Sequence, residues 1–140
     1  MSEQEKPLDD LIWFLSERAK ELNCLYRIEE ILNQQGTTVQ EVCQQVIEAI
    51  PPGWQHPEIC QAEIVIGETR YHSPGFVRTT WAQTADLVVQ DKAIGQLGVY
   101  YAEERESADH GPFLKEETRL IHSIADRLSH FLMYRQMRAV

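Results

Sequence analysis

The chain has 140 residues, of which 43% are hydrophobic, and it carries a formal net charge of −9. This length and apolar content suffice for one domain with one core and exclude wholesale disorder. The negative charge disfavours nucleic-acid phosphates and anionic membranes, so we expect neither as a partner. Three cysteines without CxxC spacing favour reduced thiols and a cytoplasmic location. The early apolar run at 11–15 is shorter than a signal-peptide core or a membrane span.

A long amphipathic helix is the first predicted element, over residues 8–35. Leucines recur along it every seven residues, and Arg18 interrupts a companion apolar series. The apolar face is wider than one coiled-coil seam, so we expect the helix to pack both on its own domain and on a second copy of the chain. The homodimer contact is predicted at Leu8, Leu11, Leu15 and Leu22.

A second helix is predicted to begin after Thr38, which forms a capping box with Glu41 three residues later. Pro51 and Pro52 end this helix, because neither has the N–H that the helix ladder requires. Trp54 follows in a short loop. We expect its side chain to fill the bottom of the core.

Four strands are predicted next, over residues 62–66, 69–72, 80–90 and 94–103. They are defined by alternating apolar residues and by turn signals, with a two-residue turn at Asp91-Lys92 before the last strand. The links are too short for crossover helices, the one at 73–79 included, so the sheet is predicted to be antiparallel.

The last predicted element is an amphipathic helix over residues 112–137, with Pro112 in its first turn. Helices therefore flank the sheet at both ends of the chain, which predicts an α+β fold of two layers. We expect one domain over residues 1–140, in which 1–18 extend the first helix and contribute the dimer seam.

Three segments carry a resemblance to a known family: residues 21–26 (ELNCLY), 50–58 (IPPGWQHPE) and 111–117 (GPFLKEE). In this order they resemble the GAF-like sensor domains found at the N-terminus of bacterial sensor histidine kinases and of proteins related to phosphoenolpyruvate synthase. The resemblance implies a GAF-like antiparallel sheet flanked by N- and C-terminal helices that associate between two chains. It also implies a domain that passes its state to an attached enzyme and does not catalyse.

The chain departs from this family pattern in several places. No catalytic module follows Val140, which indicates a free-standing protein or a fragment of a larger one. The link at 73–79 is short where ligand-binding relatives place helices over their pocket. The chain also lacks the Cys-His pair of bilin-binding relatives and a clear cyclic-nucleotide signature. We therefore expect no covalent chromophore and no cofactor, and leave open whether a small ligand binds.

Metal and redox chemistry each have one candidate. His122, Asp126 and His130 recur every four residues on the last helix, a spacing that suits metal chelation. They lie opposite the apolar stripe of that helix, so we predict a solvated face and no metal. Cys24 lies between acidic neighbours, which disfavours a thiolate, so we interpret it as a buried core residue.

Aromatic side chains on the strands are the candidates for a ligand pocket. Tyr71, Trp81 and Tyr100, with Tyr101, are placed to line a space between the sheet and a covering loop, although ordinary core and surface aromatics explain them as well. The acidic residues at 103–109 accompany no nucleophile motif, so we predict a solvated loop and no catalytic residues.

These observations predict a non-catalytic, cytoplasmic GAF-like regulatory or sensor module. We expect it to dimerise through its terminal helices and to modulate an attached or partner signalling enzyme, a histidine kinase or a phosphotransferase. Two alternatives remain open. One is a ligand-free scaffold for protein–protein interaction, and the other is a small enzyme, which ranks last because no catalytic constellation is visible.

Overall fold

The computed structural model describes residues 5–138, with side chains up to 136. The helices are α1 (Glu5–Leu32), α2 (Val39–Ala49) and α3 (Lys115–Arg138). The strands are β1 (Cys60–Ile66), β2 (Thr69–His72), β3 (Ala82–Val89) and β4 (Lys92–Tyr101). Two single 3-10 turns, Pro51–Gly53 and Pro57–Ile59, join α2 to β1.

The four strands form one open sheet in the order β2-β1-β4-β3, and every neighbouring pair is antiparallel. The predicted α+β class and antiparallel sheet are therefore confirmed. The turn between β3 and β4 lies one residue earlier than predicted, at Gln90-Asp91. Both residues have positive φ, 53° and 64°, the backbone of a two-residue hairpin turn that matches strand twist.

The helices cover one face of the sheet and enclose the core. Trp54 is fully buried there, as predicted, and its indole Nε1 donates to Gln83 Oε1 at 2.8 Å. The α3 helix packs mainly on β3. Ser129 Oγ of α3 accepts the Val88 N–H at 3.0 Å, so the helix satisfies a backbone group on the outer side of this edge strand.

Helix α3 begins three residues later than predicted. The carboxylate of Glu117 accepts the Leu114 N–H at 2.8 Å, and the Leu114 carbonyl accepts the first N–H groups of the helix. Leu114 is thus the N-cap, and Glu117 supplies one of the two bonds of a capping box, because leucine has no side-chain acceptor for the other. Pro112 lies outside the helix, in the turn before it.

Helix α1 has 28 residues and extends beyond the body of the domain. Its first buried side chain is Glu17, and every residue from Glu5 to Ser16 is exposed. This exposed part corresponds to about 18 Å of helix at 1.5 Å per residue. None of the helices within residues 5–138 has the length and apolar character needed to cross a bilayer.

Candidate functional site

The outward side of α1 carries an apolar surface that the domain leaves uncovered. Its side chains are 52% to 65% exposed and recur at intervals of three, four or seven residues, the spacing of one helix face. The buried residues of α1, from Glu17 to Ile31, lie on the opposite side of the helix. The members of this outer strip are Leu8, Leu11, Ile12, Leu15, Leu22 and Tyr26. A contiguous exposed apolar strip is typical of an interaction surface.

Arg18, which interrupts the leucine series in the sequence, connects α1 to α3. Its guanidinium contacts Glu21 at 2.8 Å and Glu116 of α3 at 3.2 Å. It also lies over the Phe14 ring, 4.8 Å from the ring centroid. The charge is therefore paired beside the outer strip, at the level where α1 leaves the domain.

A buried carboxylate lies at this same level. Glu117 is 1% exposed and accepts the Gln55 N–H at 2.6 Å in addition to the Leu114 N–H. Burial raises the pKa of Glu117 to about 7, although the two backbone hydrogen bonds lower it, and the charges of Glu17 and Glu21 on α1 raise it further. The residue therefore titrates near neutral pH at the junction between α1, α3 and the loop before β1.

The face of the sheet opposite the helices is built around a second buried carboxylate. Glu63 of β1 is 4% exposed, and its Oε2 lies 2.6 Å from Arg78, 2.8 Å from His72 and 3.3 Å from Arg70. Burial raises the pKa of Glu63, but the hydrogen bonds from His72 and Arg78 outweigh it, and the pKa lies below its ordinary value. Glu63 is thus an ionised centre that holds three basic side chains, two from β2 and one from the segment that follows it.

The segment at 73–81 folds over this face and is fastened to it by side-chain hydrogen bonds. The Gln61 amide accepts from Val77 N at 2.7 Å and donates to Val77 O at 2.9 Å. Thr79 Oγ1 donates to the Tyr101 carbonyl at 2.7 Å. Phe76 stacks on His72 with ring centroids 4.7 Å apart. Residues 73–81 therefore fill the space between the sheet and its covering segment, where a ligand would otherwise lie.

Gly98 allows the aromatic side chain of Tyr100 to lie across this face. A Cβ at Gly98 would lie 2.7 Å from Tyr100 Cε2, a distance that would force the ring to move. The Tyr100 ring packs edge-on against Phe76 at 5.1 Å, and its hydroxyl accepts from Arg78 at 3.0 Å. Tyr100 thus takes part in holding the covering segment.

The structure does not bring the predicted aromatic pocket residues together on one surface. Tyr100 lies on the covered face with Glu63, whereas Tyr71 and Trp81 pack against the core. Tyr101 is fully buried in that core and stacks on Phe113 at 4.7 Å. These aromatic residues are therefore divided between the covered sheet face and the core.

A crevice of about 890 Å³ opens between the end of α1, the turn that follows it and the last turns of α3. Basic side chains stand at one side of it, with Arg127 paired to Glu29 and Arg135 donating to Thr37 Oγ1 at 3.4 Å. Leu32 and the nearly buried Phe131 supply apolar surface. Sequence patterns missed this site, because its two sides lie about a hundred positions apart in the chain.

The predicted helical triad divides between two places. His122 and Asp126 are exposed and line a smaller crevice of about 270 Å³ together with Asp86, whereas His130 lines the larger one. Within residues 5–138, no group of three or more His, Cys, Asp or Glu side chains is arranged to hold a metal ion.

All three cysteines are free and buried. Burial raises the pKa of the Cys24 and Cys43 thiols to about 12, and that of Cys60 well above its ordinary value. Cys24 Sγ donates to the Ala49 carbonyl at 3.4 Å. The predicted core position of Cys24 is confirmed, and the thiols lack the thiolate character that reactivity requires.

Comparisons with known proteins identify no relative: no family model, curated protein or solved structure matches this chain. The function must therefore be argued from the surfaces described above.

Proposed function

We propose that this protein is a non-catalytic GAF-like regulatory module of the cytoplasm that forms a homodimer through its terminal helices. In this proposal it modulates an attached or partner signalling enzyme, a histidine kinase or a phosphotransferase. The outer strip of α1 is the observation that carries the proposal. A helix with one apolar side in the core and another in solvent requires a second surface to cover it.

The three segments that resemble the GAF-like family support the fold assignment, because they contact one another in space. Cys24 of the first segment packs on Gly53 of the second so closely that a Cβ at Gly53 would lie 2.7 Å from Cys24 Cβ. Gln55 of the second segment donates to Glu117 of the third. Segments about thirty to sixty positions apart thus form one junction at the foot of α1.

This junction also supports a route for transmission. A change in how two α1 helices pack would act on Arg18, which joins α1 to α3, and on the buried carboxylate of Glu117, whose pKa the charges of Glu17 and Glu21 on α1 raise. Since α3 covers β3 and carries the chain toward its C-terminus, its position couples dimer packing to whatever follows. Such coupling requires two arrangements with different affinities for the partner enzyme.

We expect a dimer of modest affinity. Each strip leucine buried against the partner contributes about 1.5–3 kcal/mol by apolar area. Association itself opposes this gain by several kcal/mol through lost translational and rotational freedom. Because Arg18 interrupts the apolar series, we expect a modest dimer, with a dissociation constant on the order of micromolar.

Light scattering tests the proposal with Leu11→Glu/Leu15→Glu, which places two charges in the outer strip. We expect a dimeric wild type and a monomeric, folded double variant. Val77→Glu/Val88→Glu is the matched control, because it adds the same charges at two exposed apolar residues away from α1. A wild type that is monomeric at about ten micromolar contradicts the proposal. A double variant that stays dimeric places the contact on α3 instead.

One observation favours the alternative of a ligand-free scaffold. The covered face of the sheet is filled by Phe76 and Arg78, which leaves the outer strip as the main functional surface. Fusion to a reporter kinase separates the two functions. A scaffold would hold two kinases together with constant activity, whereas a regulatory module would change the activity when the α1–α3 junction is altered.

A further inference from the structure

We propose that the crevice between the ends of α1 and α3 binds a small carboxylate that bears an apolar group. The crevice measures about 890 Å³, within the range of small-molecule sites. It lies where α1 ends, away from the covered sheet face and just beyond Tyr26, the last residue of the outer strip. The inference does not depend on dimerisation.

The charge of the crevice favours an anion. Arg127 is already paired with Glu29, but Arg135 forms no ion pair among the described residues. Its guanidinium lies 4.8 Å over the Phe131 ring and reaches Thr37 only at the limit of a hydrogen bond. In a chain of net charge −9, an arginine with no carboxylate partner among the described side chains offers a planar, bidentate position for a ligand carboxylate.

The crevice also has an apolar wall. Leu32 and Phe131 provide this wall beside the arginine. The charge and the apolar wall together define the ligand class.

The experiment titrates ¹⁵N-labelled full chain with 3-phenyllactate and follows backbone amide shifts. We expect saturable shifts at Gly36, Thr37 and Arg135. Two matched probes each remove one feature: 3-phenyllactamide has no charge, and lactate has no ring. Each should bind about tenfold more weakly, the effect of losing one charge-assisted contact or one buried ring.

Arg135→Gln should weaken 3-phenyllactate binding by about tenfold, because it removes the guanidinium that receives the carboxylate. Arg119→Gln is the control, since it makes the same charge change at an exposed residue earlier on α3. Absence of saturable shifts at about 10 mM probe overturns the site. Equal affinity for lactate or for the amide overturns the ligand class, and an unaffected Arg135→Gln overturns the role of Arg135.

Discussion

The outer strip of α1 and the sheet face around Glu63 both lie outside the core, but the chain covers only the sheet face. The sheet face is polar and charged, yet the segment at 73–81 covers it and pairs its groups. The outer strip is apolar, yet nothing in the described chain covers it. A single domain would gain more by burying leucines than by burying a carboxylate. The comparison therefore indicates that the sheet face completes the domain, and it supports the proposal that the outer strip binds another molecule.

The largest effect on stability is expected at the sheet face. Glu63→Ala removes the centre that holds Arg78 and His72, and we expect it to lower the free energy of unfolding by about 2–3 kcal/mol. Urea denaturation measures this, and amide exchange should show faster exchange across 73–81. Glu106→Ala, at an exposed loop residue, is the control and should change stability by less than about 0.5 kcal/mol. Equal stabilities of the two variants would show that the covered face does not hold the domain together.

A pH effect is expected at the junction that separates the two surfaces. The pKa of Glu117 in the folded protein is about 7, above its value in an unfolded chain. The folded state therefore binds the proton of Glu117 more tightly than the unfolded chain does. The stabilisation that results is full below about pH 4.5 and is lost as pH rises through 7. Between pH 5 and 8, Glu117 should lower the free energy of unfolding of the wild type by about 2 kcal/mol. Glu117→Gln should remove this part of the decline.

Urea midpoints of wild type and Glu117→Gln at several pH values measure this decline. Glu48→Gln is the control, because Glu48 is exposed on α2. Its pH profile should follow that of the wild type. Parallel profiles for all three proteins would mean that Glu117 is not perturbed by its burial.

The smallest effect on domain stability is expected at the outer strip. Leu11 and Leu15 are more than half exposed, so Leu11→Glu/Leu15→Glu should change the free energy of unfolding of the monomer by less than about 0.5 kcal/mol. Denaturation at low protein concentration, where a modest dimer dissociates, gives this value. A large loss of stability there would mean that the strip packs within its own domain, and the contrast between the surfaces would disappear.

The regular elements were predictable because local patterns determine them. Alternation in β1 and the capping box at Thr38 identified a strand and a helix, and Thr38 Oγ1 does accept the Glu41 N–H at 3.1 Å. The start of α3 was wrong by three residues, because the pairing of Glu117 with Leu114 competes with the proline signal. The turn at Gln90-Asp91 was misplaced, since glutamine rarely adopts positive φ.

The covered sheet face was harder to predict, because its partners meet only in the folded chain. One signal was present: Gln61 and Glu63 alternate with apolar residues in β1, which marks a second, polar side of that strand. Nothing local indicates that Arg78 reaches Glu63 from a loop fifteen residues away. Burial of a carboxylate depends on such distant partners, and periodicity does not report them.

The contact between Ser129 and β3 limits how this sheet can grow. Adding a strand from another chain requires an edge with free backbone groups, and Ser129 of α3 occupies the Val88 N–H on the β3 edge. The other edge is β2, which has only four residues and carries Arg70. A fibre built by strand addition would therefore have few free backbone groups at either edge of the sheet to pair with. The proposed association between copies uses helices instead, whose contacts can close after two chains.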